Sequence, residues 1–233
     1  MRRFFRSNKI DFYETSSILP ENVLQKIKPR VTGIIMSGSE MKLTECLKWE
    51  DYGANIYYYH LFRNVPILGI CFGCQLLHVI YGGKLREMGT FLCKKAKVEF
   101  LSNVKSSVPI LNGMPREMDM QFCYSLDLLP ITKKQGKEIA WISENGKTCA
   151  YEYEKGRVYG VLFHPEKMDN TWTILTNFID VCQRARKRIK IIIYYTTFYY
   201  SNYSTLKFFF IIIFKVIILF NIGRTGIIIT FTI

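Results

Sequence analysis

Histidine is scarce in this sequence, with three in 233 residues, and acid disappears altogether after Asp180. Three imidazoles cannot build a histidine-rich metal centre, and they narrow the choice of a general base to His60, His78 or His164. The seven cysteines are odd in number and irregularly spaced, which argues against a secreted disulfide framework and for a reducing cytosol. The N-terminus, Met1-Arg2-Arg3-Phe4-Phe5-Arg6-Ser7-Asn8-Lys9, carries charge but no apolar stretch, so it is no signal peptide. The formal charge of +13 invites a nucleic-acid reading, yet eight cations lie between Arg184 and Arg224 with no acid among them. Subtracting these eight leaves +5 for residues 1–180, and that region has no basic-aromatic motif; nucleic acid is not an expected partner.

Long apolar runs are lacking too. Phe208 to Ile222 is only fifteen residues long and is broken by Lys215. A membrane span needs roughly twenty apolar residues, and a central lysine costs about 2.5–3.5 kcal/mol on insertion scales. Residues 184–233 therefore read as a basic, then apolar, low-complexity tail, disordered or a non-native extension, with membrane contact the lesser alternative.

Residues 1–183 read as one domain in which short apolar strands alternate with amphipathic helices, an α/β pattern with a largely parallel sheet. Strands are expected over Ile10–Tyr13, Gly33–Met36, Pro66–Ile70, Glu138–Ser143, Cys149–Glu154 and Arg157–Val161. Lys95–Phe100 alternates in period two and is expected to be half exposed. Helices are expected over Arg2–Asn8, Glu21–Lys28 and Thr171–Arg184, the last with Trp172, Leu175, Phe178, Ile179 and Cys182 on one face.

The most informative stretch is Gly69-Ile70-Cys71-Phe72-Gly73-Cys74-Gln75, set between the apolar runs Val65–Leu68 and Leu76–Tyr81. It reads as buried strand, sharp turn and helix, with a thiol at the turn. A side chain there points away from the sheet, toward a substrate, and the first helical amides favour negative charge beside it. Cys71 is thus a candidate nucleophile, because the thiolate reacts and a helix N-terminus lowers thiol pKa. Of the histidines, His60 has no motif around it, and His78 lies seven residues along the helix from Cys71; both read as structural or solvent-facing. His164 ends an apolar strand, in a loop stiffened by Pro165, with Glu166 placed to accept from its second nitrogen. Cys71 and Cys74 also form a Cys-x-x-Cys, the mark of a thiol oxidoreductase or of a disulfide that switches Cys71 off. The oxidoreductase reading leaves His164-Pro165-Glu166 without a purpose, and no four-cysteine zinc spacing is present, so neither metal nor cofactor is expected.

From Pro66 to Leu85 the sequence resembles the nucleophile segment of class I glutamine amidotransferases, in its Gly-x-Cys-x-Gly-x-Gln core and the later Gly82-Gly83. Tyr159 to Glu166 resembles the same family's His-x-Glu segment, and Ile110 to Pro115 its mid-domain turn; the likeness spans roughly residues 10 to 183. It implies a flavodoxin-like, doubly wound fold, here without the family's first strand, so that the domain reads as N-terminally truncated. It further implies a Cys71–His164–Glu166 triad that cleaves the side-chain amide of glutamine through a thioester. The oxyanion would be held by the Phe72 amide and by the turn at Gly38-Ser39, and glutamine by Gln75, Ser125 and Leu126. Two positions depart from the family: Ser39 replaces a second glycine, and Tyr124 stands where histidine is usual. A glycine there with φ above zero would cost a serine roughly 1–2 kcal/mol. No ammonia-accepting domain is visible, so the implied partner is a separate synthase, with a lean toward nucleotide synthesis of the GMP type. A γ-glutamyl conjugate hydrolase or a non-catalytic relative would share these motifs.

Overall fold

The computed structural model describes residues 1–8, 10–39, 42–45, 49–101, 107–185, 192–196, 217–218 and 227–232. Helix α1 (Arg2–Ser7) and strand β1 (Tyr13–Glu14) lead into α2 (Glu21–Ile27), β2 (Val31–Met36), α3 (Trp49–Leu61), β3 (Ile67–Ile70) and α4 (Phe72–Ile80). Next come β4 (Leu85–Phe100), β5 (Glu117–Leu128), β6 (Lys137–Ile142), β7 (Thr148–Glu154), β8 (Val158–Val161) and helix α5 (Thr173–Ala185). Beyond it lie β9 (Ile192–Thr196), β10 (Ile217–Ile218) and β11 (Ile227–Thr232).

The strands form two groups, in the orders β10-β1-β11-β2-β9 and β3-β8-β7-β6-β4-β5. They meet where the Ile34 amide donates to the Pro66 carbonyl at 2.9 Å. Strands β2, β3 and β8 are buried at every position, as parallel strands covered on both faces should be. From β8 onward to β5 the second group is antiparallel. The period-two reading of Lys95–Phe100 holds: Ala96, Val98 and Phe100 are buried while Lys95 and Lys97 face solvent.

The α/β class is as expected, and most strand and helix positions agree to within one or two residues. The first strand is shorter than expected, because the Ile10 amide turns back to cap α1 through the Phe5 carbonyl at 3.0 Å; only Tyr13 and Glu14 enter a ladder. Strand β4, by contrast, runs sixteen residues where six were expected, since β5 pairs along nearly its full length. Pro66 cannot donate to a ladder, so β3 opens at Ile67.

Helix α5 buries Ile174, Leu175, Phe178, Ile179, Val181 and Cys182, close to the face read from periodicity, and Trp172 packs edge-on to Phe4 at 5.3 Å. Each large apolar side chain so buried contributes about 1.5–3 kcal/mol. Asn177 on the same helix donates to the carbonyls of Ile110 and Asn112 at 2.9 and 2.7 Å, pinning the mid-domain turn. Most of the tail expected to be disordered, including Phe208 to Ile222 apart from Ile217 and Ile218, lies outside the described residues. Its described segments pair with β1 and β2. Among the described residues no helix is long and apolar enough to cross a membrane.

Candidate active site

Strands β3 and β8 run parallel with Ile70 opposite Val161, so their ends lie side by side. Cys71 follows one end directly, and His164 stands three residues past the other. This register brings together two residues 93 positions apart in the chain. Cys71 has φ 51° and ψ −106°, and it is the one non-glycine residue with positive φ among those described. That conformation costs roughly 1–2 kcal/mol and persists because both of its peptide groups are held. Its amide donates to the Val161 carbonyl at 2.8 Å, and its carbonyl accepts from the Gln75 amide at 2.9 Å. Two residues on, Gly73 lets α4 start against β2: its amide donates to the Ser37 carbonyl at 3.2 Å, and any Cβ would strike the Met36 backbone.

His164 is buried, with Nδ1 donating to Oε1 of Glu166 at 2.7 Å. Its Nε2 is buried without a partner. Burial alone would favour the neutral ring, but the neighbouring Cys71 sulfur and the bond and charge of Glu166 outweigh it and push the imidazole up to about 10. Burial works against the charged Glu166 as well; His164 nonetheless holds that carboxyl below its usual range. A buried, carboxylate-paired imidazole beside a thiol is an arrangement able to activate a sulfur nucleophile.

Gly38 lies between the two reactive side chains. A Cβ built on it would sit 2.8 Å from Cε1 of His164 and 3.4 Å from Cβ of Cys71. Gly38 therefore borders the Cys71 side chain, and Ser39 follows it in the same turn. Neither residue has positive φ, so the strain that serine would bear in a left-handed conformation does not arise. Phe72 is the first residue of α4, where an amide has no partner within the helix and remains available to an anion.

The residues expected to hold glutamine lie on α4 and β5. Gln75 is buried, and its Nε2 donates to the Leu126 carbonyl at 3.0 Å, tying α4 to β5. Leu126 itself is buried, and Ser125 lines a cavity of about 270 Å³ with Lys42, Glu87, Gly89, Thr90 and Phe91. Tyr124 is buried against Phe122, ring centroids 5.7 Å apart. His78 is structural as read: Nε2 donates to the Leu129 carbonyl at 2.8 Å, leaving Nδ1 to accept from the Tyr153 hydroxyl at 3.1 Å, and burial lowers its pKa. His60 is exposed. Cys74 is wholly buried, and a Cβ on Gly160 of β8 would come 2.8 Å from its sulfur. Cys71 Sγ meets the Cys123 carbonyl of β5, and both Cys71 and Cys74 are free thiols here.

Three neighbours of the site carried no sequence signal. The Cys123 carbonyl on β5 accepts from Cys71 Sγ at 3.3 Å. Cys123 is disulfide-bonded to Cys93, its opposite number on β4. Thr171 is fully buried, and its Oγ1 reaches the carbonyls of Pro165 and Met168 at 2.7 and 2.6 Å, bracing the loop that carries Glu166. Only the pairing of β5 and the folding back of the His164 loop bring these groups to Cys71, and neither is written in local sequence. Among the described residues no cluster of His, Cys, Asp or Glu is arranged to hold a metal.

The model of the family described as glutamine amidotransferase class-I matches residues 7–181. A GMP synthase [glutamine-hydrolyzing] subunit from Methanococcus vannielii is 29% identical over 188 residues, covering 78% of this chain and 91% of that protein. GMP synthase [glutamine-hydrolyzing] of Thermosipho africanus is 34% identical over 140 residues, covering 57% of this chain; the match spans only 25% of that longer protein. Among solved structures, a Thermoplasma acidophilum protein described as a GMP synthase subunit superposes with a TM-score of 0.59 at 20% identity, covering 76% of this chain and 96% of that one, which speaks to the fold. The order of motifs, the parallel register that joins them and the match over residues 7–181 place the chain in the class I glutamine amidotransferase family.

Proposed function

We propose that the chain is a glutaminase module, with Cys71, His164 and Glu166 as its catalytic residues, that supplies ammonia to a separate synthase. The Cys71 thiolate attacks the side-chain carboxamide carbon of glutamine, and the amides of Phe72 and the Gly38-Ser39 turn receive the developing oxyanion. Losing one such donor typically costs about 2.7–4 kcal/mol of transition-state stabilisation. His164, protonated, gives its proton to the departing nitrogen, and ammonia leaves a γ-glutamyl thioester on Cys71. The neutral ring then takes a proton from water, hydroxide adds to the thioester, and glutamate departs with the thiolate restored. Glu166 orients the imidazole and stabilises its charged form throughout. Ser125, at the cavity wall, and Leu126 position glutamine, and Gln75 acts on the same segment through the Leu126 carbonyl.

The observation that carries this reading is the parallel β3–β8 register, which sets a buried His164–Glu166 pair beside a thiol at a helix N-terminus. The length match to the Methanococcus protein supports a partner synthase of the GMP type. The test mixes the chain with a GMP-synthase subunit that lacks a glutaminase domain and follows GMP formation. Glutamine replaces added ammonia as nitrogen donor if the reading holds; GMP formation that still requires free ammonia would refute this acceptor.

A further inference from the structure

We propose that Cys93 and Cys123 form a reversible thiol–disulfide modification site that controls whether the Cys71 thiol is available. Cys93 and Cys123 are directly opposed across β4 and β5 and are disulfide-bonded, with Cα atoms 4.1 Å apart. Cys93 is exposed and Cys123 half-buried, so a small thiol or disulfide can reach the pair. A cation and an amide face the pair: Lys167 Nζ lies 3.6 Å from Cys123 Sγ, and the Gln121 side-chain amide lies 3.7 Å from each sulfur. The same short segment of β5 serves the site. The Gln121 backbone carbonyl accepts from the His164 amide at 2.7 Å, and the Cys123 backbone carbonyl accepts from Cys71 Sγ at 3.3 Å.

These contacts connect the pair to the chemistry. While Cys123 is bonded to Cys93, its carbonyl accepts from Cys71 Sγ at 3.3 Å, so the thiol is shared between this carbonyl and the neighbouring His164 ring. Reduction replaces a covalent contact with two thiols at van der Waals separation, which requires the two strands to spread at that rung. The Cys123 carbonyl then withdraws, and Cys71 Sγ is left to His164 alone. The oxidant is a low-molecular-weight disulfide such as oxidised glutathione. The Cys123 thiolate attacks one of its sulfurs and expels one glutathione thiolate, forming a mixed disulfide. The Cys93 thiolate then attacks the Cys123 sulfur and expels the second. Two electrons pass from the protein pair to the small disulfide, and both released thiolates take up the protons lost by the cysteines.

Native protein and Cys93→Ser are equilibrated in glutathione buffers of varied ratio; disulfides are mapped by peptide mass, and the alkylation rate of Cys71 by iodoacetamide is measured. In the native chain the Cys93–Cys123 bond should form and break reversibly, with Cys71 alkylated about tenfold faster when it is reduced. In Cys93→Ser the rate should stay constant across the buffers. A bond that does not respond to the buffer, or equal responses of the two proteins, overturns the proposal. Glutamine turnover should follow the same pattern, by about tenfold, but this part rests on the glutaminase reading. Switching of Cys71 alkylation without turnover in any buffer would count against that reading while the modification site stands.

Discussion

Nδ1 of His164 donates to Oε1 of Glu166 at 2.7 Å, inside a pocket where Nε2 of the same ring has no other partner. The carboxylate therefore fixes both the tautomer and the charge of the imidazole. Replacing it by an amide, Glu166→Gln, should lower kcat for glutamine by about 10²-fold or more with little change in KM. The mutation should also change the pH dependence of stability. His164 is raised from 6.5 to about 10, so its contribution is complete below pH 6.5 and is lost as pH rises through 10. Glu166 is held below 4.5, so its share is lost as pH falls under that value. The Tm advantage of the native protein over Glu166→Gln should be widest between these limits and close toward pH 10; a gap that widens with rising pH would contradict the assignment.

Gly38 has little freedom to change beside the thiol. A methyl group there meets the edge of the His164 ring at 2.8 Å, closer than real Cβ contacts come, so the ring must move. A displacement approaching 1 Å costs about 10²-fold in rate when the geometry is reactive. Gly38→Ala should therefore lose about that much in kcat, measured by glutamate release, with a much smaller effect on Tm.

Thr171 braces the His164 loop from beneath without touching Cys71. Thr171→Val keeps the shape and leaves the Pro165 and Met168 carbonyls without their donor, a loss of about 1–3 kcal/mol in stability. It should also lower kcat by about tenfold, as the Glu166–His164 pair loses its fixed position. Thr171→Ser, which restores the hydroxyl, should recover the rate. Recovery of Tm without recovery of kcat would show that the hydroxyl serves packing alone.

Cys74 sits on the sheet side of α4, away from the reactive end of Cys71. Cys74→Ala should cost about 1 kcal/mol of stability and leave turnover within about twofold. Peroxide-inactivated enzyme should be restored by thiol equally well in the native chain and in this variant; loss of reversal in Cys74→Ala would reinstate the Cys71–Cys74 disulfide.

The parts of this site that were legible in the sequence are those determined locally. An apolar strand, a cysteine and a helix in immediate succession specify where the thiol points. His164, followed by proline and an acid, stands out against two histidines that lack such a setting, and the buried bonds of His78 justify setting it aside. What could not be read depends on pairings far apart in the chain. Cys93 and Cys123 are thirty residues apart, and only the β4–β5 register makes them partners. The bond from Gln75, read as a substrate contact, to the Leu126 carbonyl is likewise set by how β5 packs on α4. The cost expected for Ser39 was conditional on a backbone angle that the chain does not adopt.

The central claim is that Cys71 is the nucleophile of a glutamine-cleaving site, and release of ammonia and glutamate from glutamine, compared between the native chain and Cys71→Ala, tests it most directly. The assay is run under reducing conditions, with and without the GMP-type synthase partner. The native chain should yield equal amounts of the two products and a γ-glutamyl adduct on Cys71 in quenched samples, and Cys71→Ala neither product above background. Equal release from both proteins, or none from the native chain under any of these conditions, would contradict it.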